Sequence, residues 1–326
     1  MRLLAALAVV LVLLVALAVA LGGTSLGVRQ YADAFGRPDS PAGEVLWGLR
    51  APRAAAAALV GAMLGLAGAA MQGLLRNPLT DPGVLGVSAV AALGAAGVIA
   101  CGLALAHPGA IELAALAGAL LAGAMVAGLA ARLRQPETLV LFGVALSAMG
   151  GALTALVFNL SPSLITTSEV PNWLLGSVAG RGWGDIAAAL VPAALGAALI
   201  AYAARGLTML TLGEETAALS GLPMARLRAA AVAGAALLTG AAVAMAGVIG
   251  FVGLAAPHLV RGAVSDHPGR TLAPSALAGA ILLVAADLAA RLIPTDEELK
   301  LGVVTALFGA PLFALVAWRA SRSWRP

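Results

Sequence analysis

The chain has 326 residues, of which 61% are hydrophobic and 10% charged, with a mean hydropathy of +1.01 and a formal charge of +4. No soluble domain carries that balance, and apolar runs of about 20 residues, enough to cross a hydrocarbon core about 30 Å thick, recur along its length. A single cysteine, Cys101, excludes disulfides within the chain and thiolate metal sites.

The apolar segment 3–22 after Met1-Arg2 is longer than the core of a secretory signal and reads as an uncleaved first span. Further apolar spans fall near 54–75, 84–106, 110–132, 138–160, 186–204, 229–246, 272–292 and 301–318. Gly and Ala fill them, as in Gly61-xxx-Gly65, which suits helices packed through small residues. Nine crossings with the N-terminus inside would leave Arg319, Arg322 and Arg325 outside, against the positive-inside bias. Residues 247–263 supply a tenth. Gly247, Gly250, Gly253 and Pro257 break the helix there, and such backbone is tolerated only where protein or a water-filled cavity surrounds it. The expected fold is all-α, a single transmembrane domain over 1–326 with ten helices, some short or broken. Of the 19 basic residues, 12 then lie inside and 7 outside (Arg29, Arg37, Arg50, Arg53, Arg181, Arg291 and Lys300), with both termini cytoplasmic. The positive charge is therefore topological and gives no support to nucleic-acid binding.

Between the second and third spans stands a polar hinge, 76–88, in which Pro78 and Pro82 fix the turn and Asn77 and Asp81 can cap backbone groups. The longest polar insertion on the inner face, 211–228, reads as two short helices. Glu214 and Glu215 begin the first, Gly221 stops it and Pro223 starts the second. Ala217, Leu219, Leu222 and Met224 would face water there unless something covers them.

A phosphate-binding loop needs a Gly-Lys-Ser/Thr ending, and the one lysine, Lys300, stands between leucines. The chain is therefore not an ATP-hydrolysing enzyme of that kind, and ATP-driven work would draw on another chain. For a gradient-driven carrier, Asp287 is the sole carboxylate well inside a span, and Arg291 one turn later can satisfy it.

Together the motifs resemble a known family. They are Leu49-Arg50-Ala51-Pro52-Arg53, Gly68-Ala69-Ala70-Met71-Gln72, Arg76-Asn77-Pro78-Leu79-Thr80-Asp81-Pro82 and Leu85-Gly86-Val87-Ser88 in the first half. In the second half they are Trp173-Leu174-Leu175-Gly176-Ser177, Leu212-Gly213-Glu214-Glu215-Thr216-Ala217, Gly247 to Leu254, Pro257-His258-Leu259-Val260-Arg261, Ala286 to Arg291 and Gly302 to Pro311. In order and spacing, over about 45–318, they resemble the permease subunit of type II ABC importers for ferric siderophores, haem or vitamin B12, the FecCD or BtuC-like family.

That resemblance implies ten helices, a dimer of permease chains (here a homodimer) with the path on its axis, and a bacterial inner-membrane location. It also implies two cytoplasmic ATPases that bind the ATP and Mg, with no cofactor or metal in this chain, and an external substrate-binding protein. Arg50, Arg53 and Arg291 would look outward and meet acids of the binding protein. Coupling helices within 205–228, including Leu212, Gly213, Glu214, Glu215, Thr216, Ala217, Gly221, Leu222 and Pro223, would sit in a groove of the ATPase. Pro136, Glu137 and Thr138 correspond to the inner gate, and Asn77, Pro78, Asp81, Pro82, Gly247, Gly250, Gly253, Pro257 and His258 belong to the hinge and path. Two departures stand out: Ala89-Val90 follows the Gly-Val-Ser segment, and Lys300 replaces a proline in Glu298-Leu299-Lys300-Leu301-Gly302. Lys300 and Arg181 could attract an anionic cargo or meet acids of the binding protein. His107, His258, His267, Tyr31 and Tyr202 form no convincing iron-ligating pair. The reading leans to haem, with a ferric siderophore or cobalamin as the alternative cargo. A gradient-driven carrier and a non-transporting membrane scaffold are the readings from other classes.

Overall fold

The computed structural model describes residues 2–23, 25–132, 136–161, 164–264, 267–293 and 298–323, and these are helical with no strand among them. In chain order the helices are α1 (Arg2–Ala20), α2 (Val28–Gly36), α3 (Pro41–Gly43), α4 (Ala51–Leu75), α5 (Val87–Ala100), α6 (Leu103–Ala106), α7 (Ala110–Arg132) and α8 (Pro136–Leu160). There follow α9 (Leu164–Leu174), α10 (Trp183–Met209), α11 (Glu214–Leu219), α12 (Met224–Ala246), α13 (Val252–Arg261), α14 (Pro268–Leu292) and α15 (Leu301–Ser323). Wider π-helical turns, Glu44–Arg50, join α3 to α4 without a break, and the hinge holds a 3-10 turn, Pro82–Leu85.

Among the described residues, seven helical stretches are long and apolar enough to cross a membrane, and the shorter Val87–Ala100 and Leu301–Pro311 are apolar as well. The bundle is graded from centre to rim. The membrane window of α12 is 83% buried and that of α1 only 6%. Val12 and Leu13 on α1 are about two-thirds exposed, as fits side chains in contact with lipid. Water would penalise that surface; hydrocarbon does not.

With lipid as solvent, little hydrophobic force drives one helix onto another, so close van der Waals packing must hold them. The glycine stripe of α4 provides it. A Cβ on Gly61 would overlap the Gly279 carbonyl of α14, one on Gly65 the Ser275 carbonyl, and one on Gly68 the Gly253 backbone at the start of α13. The same device joins α5 to α7, where Gly94 lies on the Ala114 carbonyl and Gly118 on the Val90 carbonyl.

Four features differ from the sequence reading. The expected span 84–106 breaks at Cys101–Gly102, where Gly102 takes φ +69° and α6 follows as a separate turn. Helix α9 stands between two expected spans. Its polar Thr166-Thr167-Ser168-Glu169 and internal Pro171 suppress the apolar signal. The second short helix of the 211–228 insertion is the first turns of α12, because Pro223 caps a helix that runs on to Ala246. The break is present at 247–251 and a short return helix follows, but Gly253 and Pro257, expected among the breakers, lie inside α13, where each falls early enough for glycine's free backbone and proline's one missing N–H to be tolerated within a ten-residue helix.

Gly61→Ala is expected to destabilise the protein by about 1–3 kcal/mol, since a methyl there must push two backbones apart. Gly97→Ala, with no atom within 4 Å of the added carbon, is expected to be neutral or slightly stabilising. Thermal melting of detergent-solubilised protein distinguishes them.

Candidate functional site

The hinge and the broken helix, far apart in sequence, form one structure. Helix α4 ends on Arg76 in the left-handed region, φ 48°, with its N–H on the Gln72 carbonyl. The Asn77 side chain accepts from Leu79 N at 2.9 Å, and Asp81 Oδ1 accepts from Gly83 N at 2.8 Å. The Asp81 carboxylate also accepts from the Leu254 N–H in the first turn of α13, and Pro82 packs on Gly253, where a Cβ would lie 2.7 Å from the proline ring. Asp81 thus closes the hinge and caps a second helix at its positive end. Gln72, buried at 4% exposure, grips the same helix: its Nε2 donates to the Leu254 carbonyl at 3.4 Å, and its Oε1 accepts from Arg261 at 2.6 Å. Arg76 and Phe251, the non-glycine residues at positive φ among those described, stand at the exits into these two irregular segments. Such strain persists only where surrounding structure holds it. His258 lies half-buried on α13.

A cavity of about 660 Å³ opens beside this junction. Asp81 and Ser88 line it from the hinge side, Ser147, Thr154 and Asn159 from α8, Pro171 and Leu174 from α9, and Val248, Ile249 and Gly250 from the break. Its polar groups are largely spent: Thr154 donates to the Gly150 carbonyl at 2.8 Å and Asn159 to the Ala155 carbonyl at 2.9 Å. Among the described lining residues there is no His, Tyr, Cys, Met, Lys or Arg.

Three sequence motifs meet along one seam. Ser177 N donates to the Ala246 carbonyl at 2.8 Å, while Leu301 and Gly302 donate to the Gly176 and Leu175 carbonyls at 3.0 Å each. Gly176 and Gly247 both adopt φ +70°, and a Cβ on Gly247 would overlap the Trp173 carbonyl. This backbone seam ties α9, the helix break and α15 together. The sequence showed the motifs but not their meeting, because backbone-to-backbone pairing leaves no side-chain pattern.

At the opposite end of α4 lies an ionic cluster around Asp287, which is fully buried. Arg53 donates to its Oδ1 through Nε at 3.0 Å and Nη2 at 2.8 Å, and reaches both carboxylate oxygens of Glu298. Arg291 Nη2 lies 3.0 Å from Asp287 Oδ2, off the direction of its N–H bonds, so the two charges attract without an aligned hydrogen bond. The remaining donors cap α1. Arg291 reaches the Ala18 carbonyl at 3.2 Å, Arg50 reaches that of Ala20 at 2.7 Å, and the Tyr31 hydroxyl shares the latter. The last carbonyls of a helix have no partner of their own, and two guanidiniums at this negative end satisfy them. Arg50, Arg53 and Arg291 are thus largely buried and engaged within the chain. Arg181, considered above as an attractor of anions, pairs with Glu112 at 2.9 Å. Arg53 holds the Glu298 carboxyl below the usual carboxylate range, chiefly through its hydrogen bond.

At the hinge end, α11 is flanked by Gly213 (φ 98°) and Gly221 (φ 82°), as the turns require. Ala217 is buried, and Leu222 and Met224 pack on the core, so those three are covered by the chain itself. Leu212 and Leu219 are not: they are 67% and 89% exposed. Glu215, Thr216 and Pro223 are on or beside α11. Thr138 is half-buried at the start of α8, whereas the side chains of Pro136, Glu137 and Glu214 lie outside the described residues.

Two outcomes follow from the ionic cluster. Asp287→Ala leaves Arg53 and Arg291 without their shared counter-ion and is expected to cost about 3–5 kcal/mol, read as a fall in melting temperature. Glu298→Gln, on the exposed side, is expected to cost under about 1 kcal/mol. Because the folded Glu298 pKa is depressed, its contribution is present above the unfolded value, about 4.3, and lost as pH falls through the folded one. The protection of residues 298–303 against hydrogen exchange, taken relative to the intrinsic rate at each pH, is expected to fall on acidification in the wild type, and to lose that step in Glu298→Gln.

The FecCD transport family model matches residues 10–319. The chain is 42% identical over 271 residues to the vitamin B12 import system permease protein BtuC of Vibrio cholerae, covering 83% of this chain and 81% of that one. It is 39% identical over 303 residues to the uncharacterized ABC transporter permease protein YvrB of Bacillus subtilis, covering 91% and 85%. A solved chain described as a metal-chelate type ABC transporter in an inward-facing conformation superposes with a TM-score of 0.83 at 30% identity, covering 97% of this chain and 98% of that one. The chain belongs to the FecCD transport family and is an ABC importer permease of that family.

Proposed function

We propose that two copies of this chain form the membrane path of a binding-protein-dependent importer of a corrinoid such as vitamin B12. The cavity carries the reading. It is mainly apolar, its Thr154 hydroxyl and Asn159 amide are bonded to carbonyls of their own helix, and the one carboxylate among its described lining residues is spent on two backbone N–H groups. A path of that kind suits a bulky cargo whose metal is already fully ligated, because no lining side chain can claim the metal or hold the cargo tightly. Haem is less well served. None of His107, His258, His267, Tyr31 and Tyr202 lines the cavity, and no lining cation would pair with propionates. Relatives named as vitamin B12 permeases add to the corrinoid reading.

In this reading the seven long spans, the two shorter apolar helices and the half-helix α13 make ten crossings, with both termini in the cytoplasm of a bacterial inner membrane. Exposed Leu212, just before α11, and Leu219, its last residue, seat one of two ATPases, which bind ATP and Mg. The external binding protein docks over the Arg50, Arg53 and Arg291 mouth, its acids meeting the exposed edge of Arg53. Pro136, Glu137 and Thr138 form the inner gate beside the axis.

Proteoliposomes holding this permease, its ATPase and its binding protein are expected to accumulate cobalamin only with ATP and the binding protein present. Asp81→Ala, which uncaps α13, is expected to slow that uptake about tenfold or more, while Asp81→Asn keeps an acceptor and retains more activity. Uptake of haem or a ferric siderophore in place of cobalamin overturns the cargo assignment, and uptake by the chain alone overturns the importer mechanism.

A further inference from the structure

The stretch 247–251, which joins α12 to α13, is a partition between two cavities. Val248, Ile249 and Gly250 line the cavity of about 660 Å³. Phe251 and Val252 line another, of about 380 Å³, whose remaining walls include Leu282 and Ala286 of α14 and Thr305 and Phe308 of α15. At one end the partition is fixed to the backbone seam, where Gly247 packs on the Trp173 carbonyl and the Ala246 carbonyl accepts from Ser177 N. At the other end it enters α13, whose first turn is capped by Asp81.

Strain sits on one residue of the partition. Phe251 takes φ 67° and ψ -21°, a left-handed conformation that glycine adopts freely and a bulky side chain rarely does. The adjacent Gly250 is not in that region. A strained backbone persists only where its surroundings hold it, and the side chain of Phe251 shows what does so. A Cβ on Gly309 of α15 would overlap the Cβ and Cγ of Phe251, so this side chain lies directly on the α15 backbone. Helix α15 in turn hangs on α9, because Leu301 and Gly302 donate to the Gly176 and Leu175 carbonyls. Phe251 therefore bridges two bodies, α13 with its hinge on one side and α15 with α9 on the other.

We propose that Phe251 is a positioning residue for the cargo path: its seat on Gly309 holds residue 251 left-handed, and that dihedral holds Val248, Ile249 and Gly250 in place as a wall of the larger cavity. This rests on the reading of that cavity as the path. When α15 moves away from α13, the side chain loses its seat and φ returns to negative values. The partition then swings toward the smaller cavity and widens the larger one.

The test separates the dihedral from the packing of the ring. Phe251→Ala removes the ring and keeps the penalty for a left-handed φ, whereas Phe251→Gly removes both. The permease is held with its ATPase in nanodiscs, with exposed Cys101 changed to Ser. Gly250→Cys then supplies a thiol on the larger cavity, at a position where an added Cβ meets no atom within 4 Å. Phe251→Ala is expected to speed labelling of that thiol by a water-soluble maleimide about fivefold or more, the size of the left-handed penalty for an L-residue. Phe251→Gly, free of that penalty, is expected to stay within about twofold of its parent. Gly309→Ala, whose methyl displaces the Phe251 Cβ, is expected to speed labelling as well, and to lose that effect in Phe251→Gly, which has no Cβ to displace. Without the thiol, cobalamin uptake in proteoliposomes is expected to fall in Phe251→Ala and to be kept in Phe251→Gly. Equal labelling in the Ala and Gly variants, whether raised or unchanged in both, overturns the proposal, as does a Gly309→Ala effect that survives in Phe251→Gly. A labelling difference without cobalamin uptake in the parent supports the positioning of the wall and strikes only the cargo assignment.

Discussion

Breaking a helix inside a membrane leaves N–H and C=O groups that no water can satisfy, and each costs several kcal/mol if left so. The stretch 247–251 is such a break, and much of the remaining architecture supplies its partners. The Ala246 carbonyl takes Ser177 N, the turn at Gly176 packs against Gly247, and the first turn of α13 takes Asp81. Gly68 lets α4 approach close enough for Gln72 to reach the Leu254 carbonyl. Removing any one support exposes backbone that hydrocarbon will not accept, so these contacts act as a set.

The same economy governs the outer end. A buried carboxylate such as Asp287 is costly unless compensated, and here two arginines compensate it while their spare donors close the C-terminus of α1. Peripheral α1, with little buried surface of its own, is held at that end by charge-assisted bonds from Arg50, just before α4, and Arg291 of α14, together with the packing of Val15, Ala18 and Val19 on the core. A docking partner would therefore meet a preformed ionic network, with Glu298 as the exposed carboxylate already on Arg53.

Much of this was legible in the residues. Hydropathy located the long spans, Gly247 and Gly250 located the break, and Gly61-xxx-Gly65 marked the close packing of α4 on α14. The Asp287–Arg291 pair followed from helical spacing. Less legible was anything decided by tertiary contact. Spacing within α14 could not reveal that Arg53, over 230 positions away, shares Asp287, or that Glu298 holds Arg53 in turn. Helix α9 escaped because its first turns are polar. The apolar residues of the 211–228 insertion divided into covered and exposed sets, Ala217, Leu222 and Met224 against Leu212 and Leu219, by how the loop folds back on α10 and α12, which composition does not encode.

A path that moves cargo must bind it weakly at every stage, and the half-helix α13 threatens that requirement. A helix N-terminus beside a cavity is a ready anion site. Asp81 removes it, because its carboxylate occupies the Leu254 N–H that an anionic group would otherwise claim. The residue that stabilises the broken backbone thus also neutralises the field the break would create. On this account the hinge and the half-helix form a single element, and their spacing must stay fixed as the bundle moves. That favours motion in which α4, the hinge and α13 shift together, while the cavity changes shape on its other side, along α8 and α9.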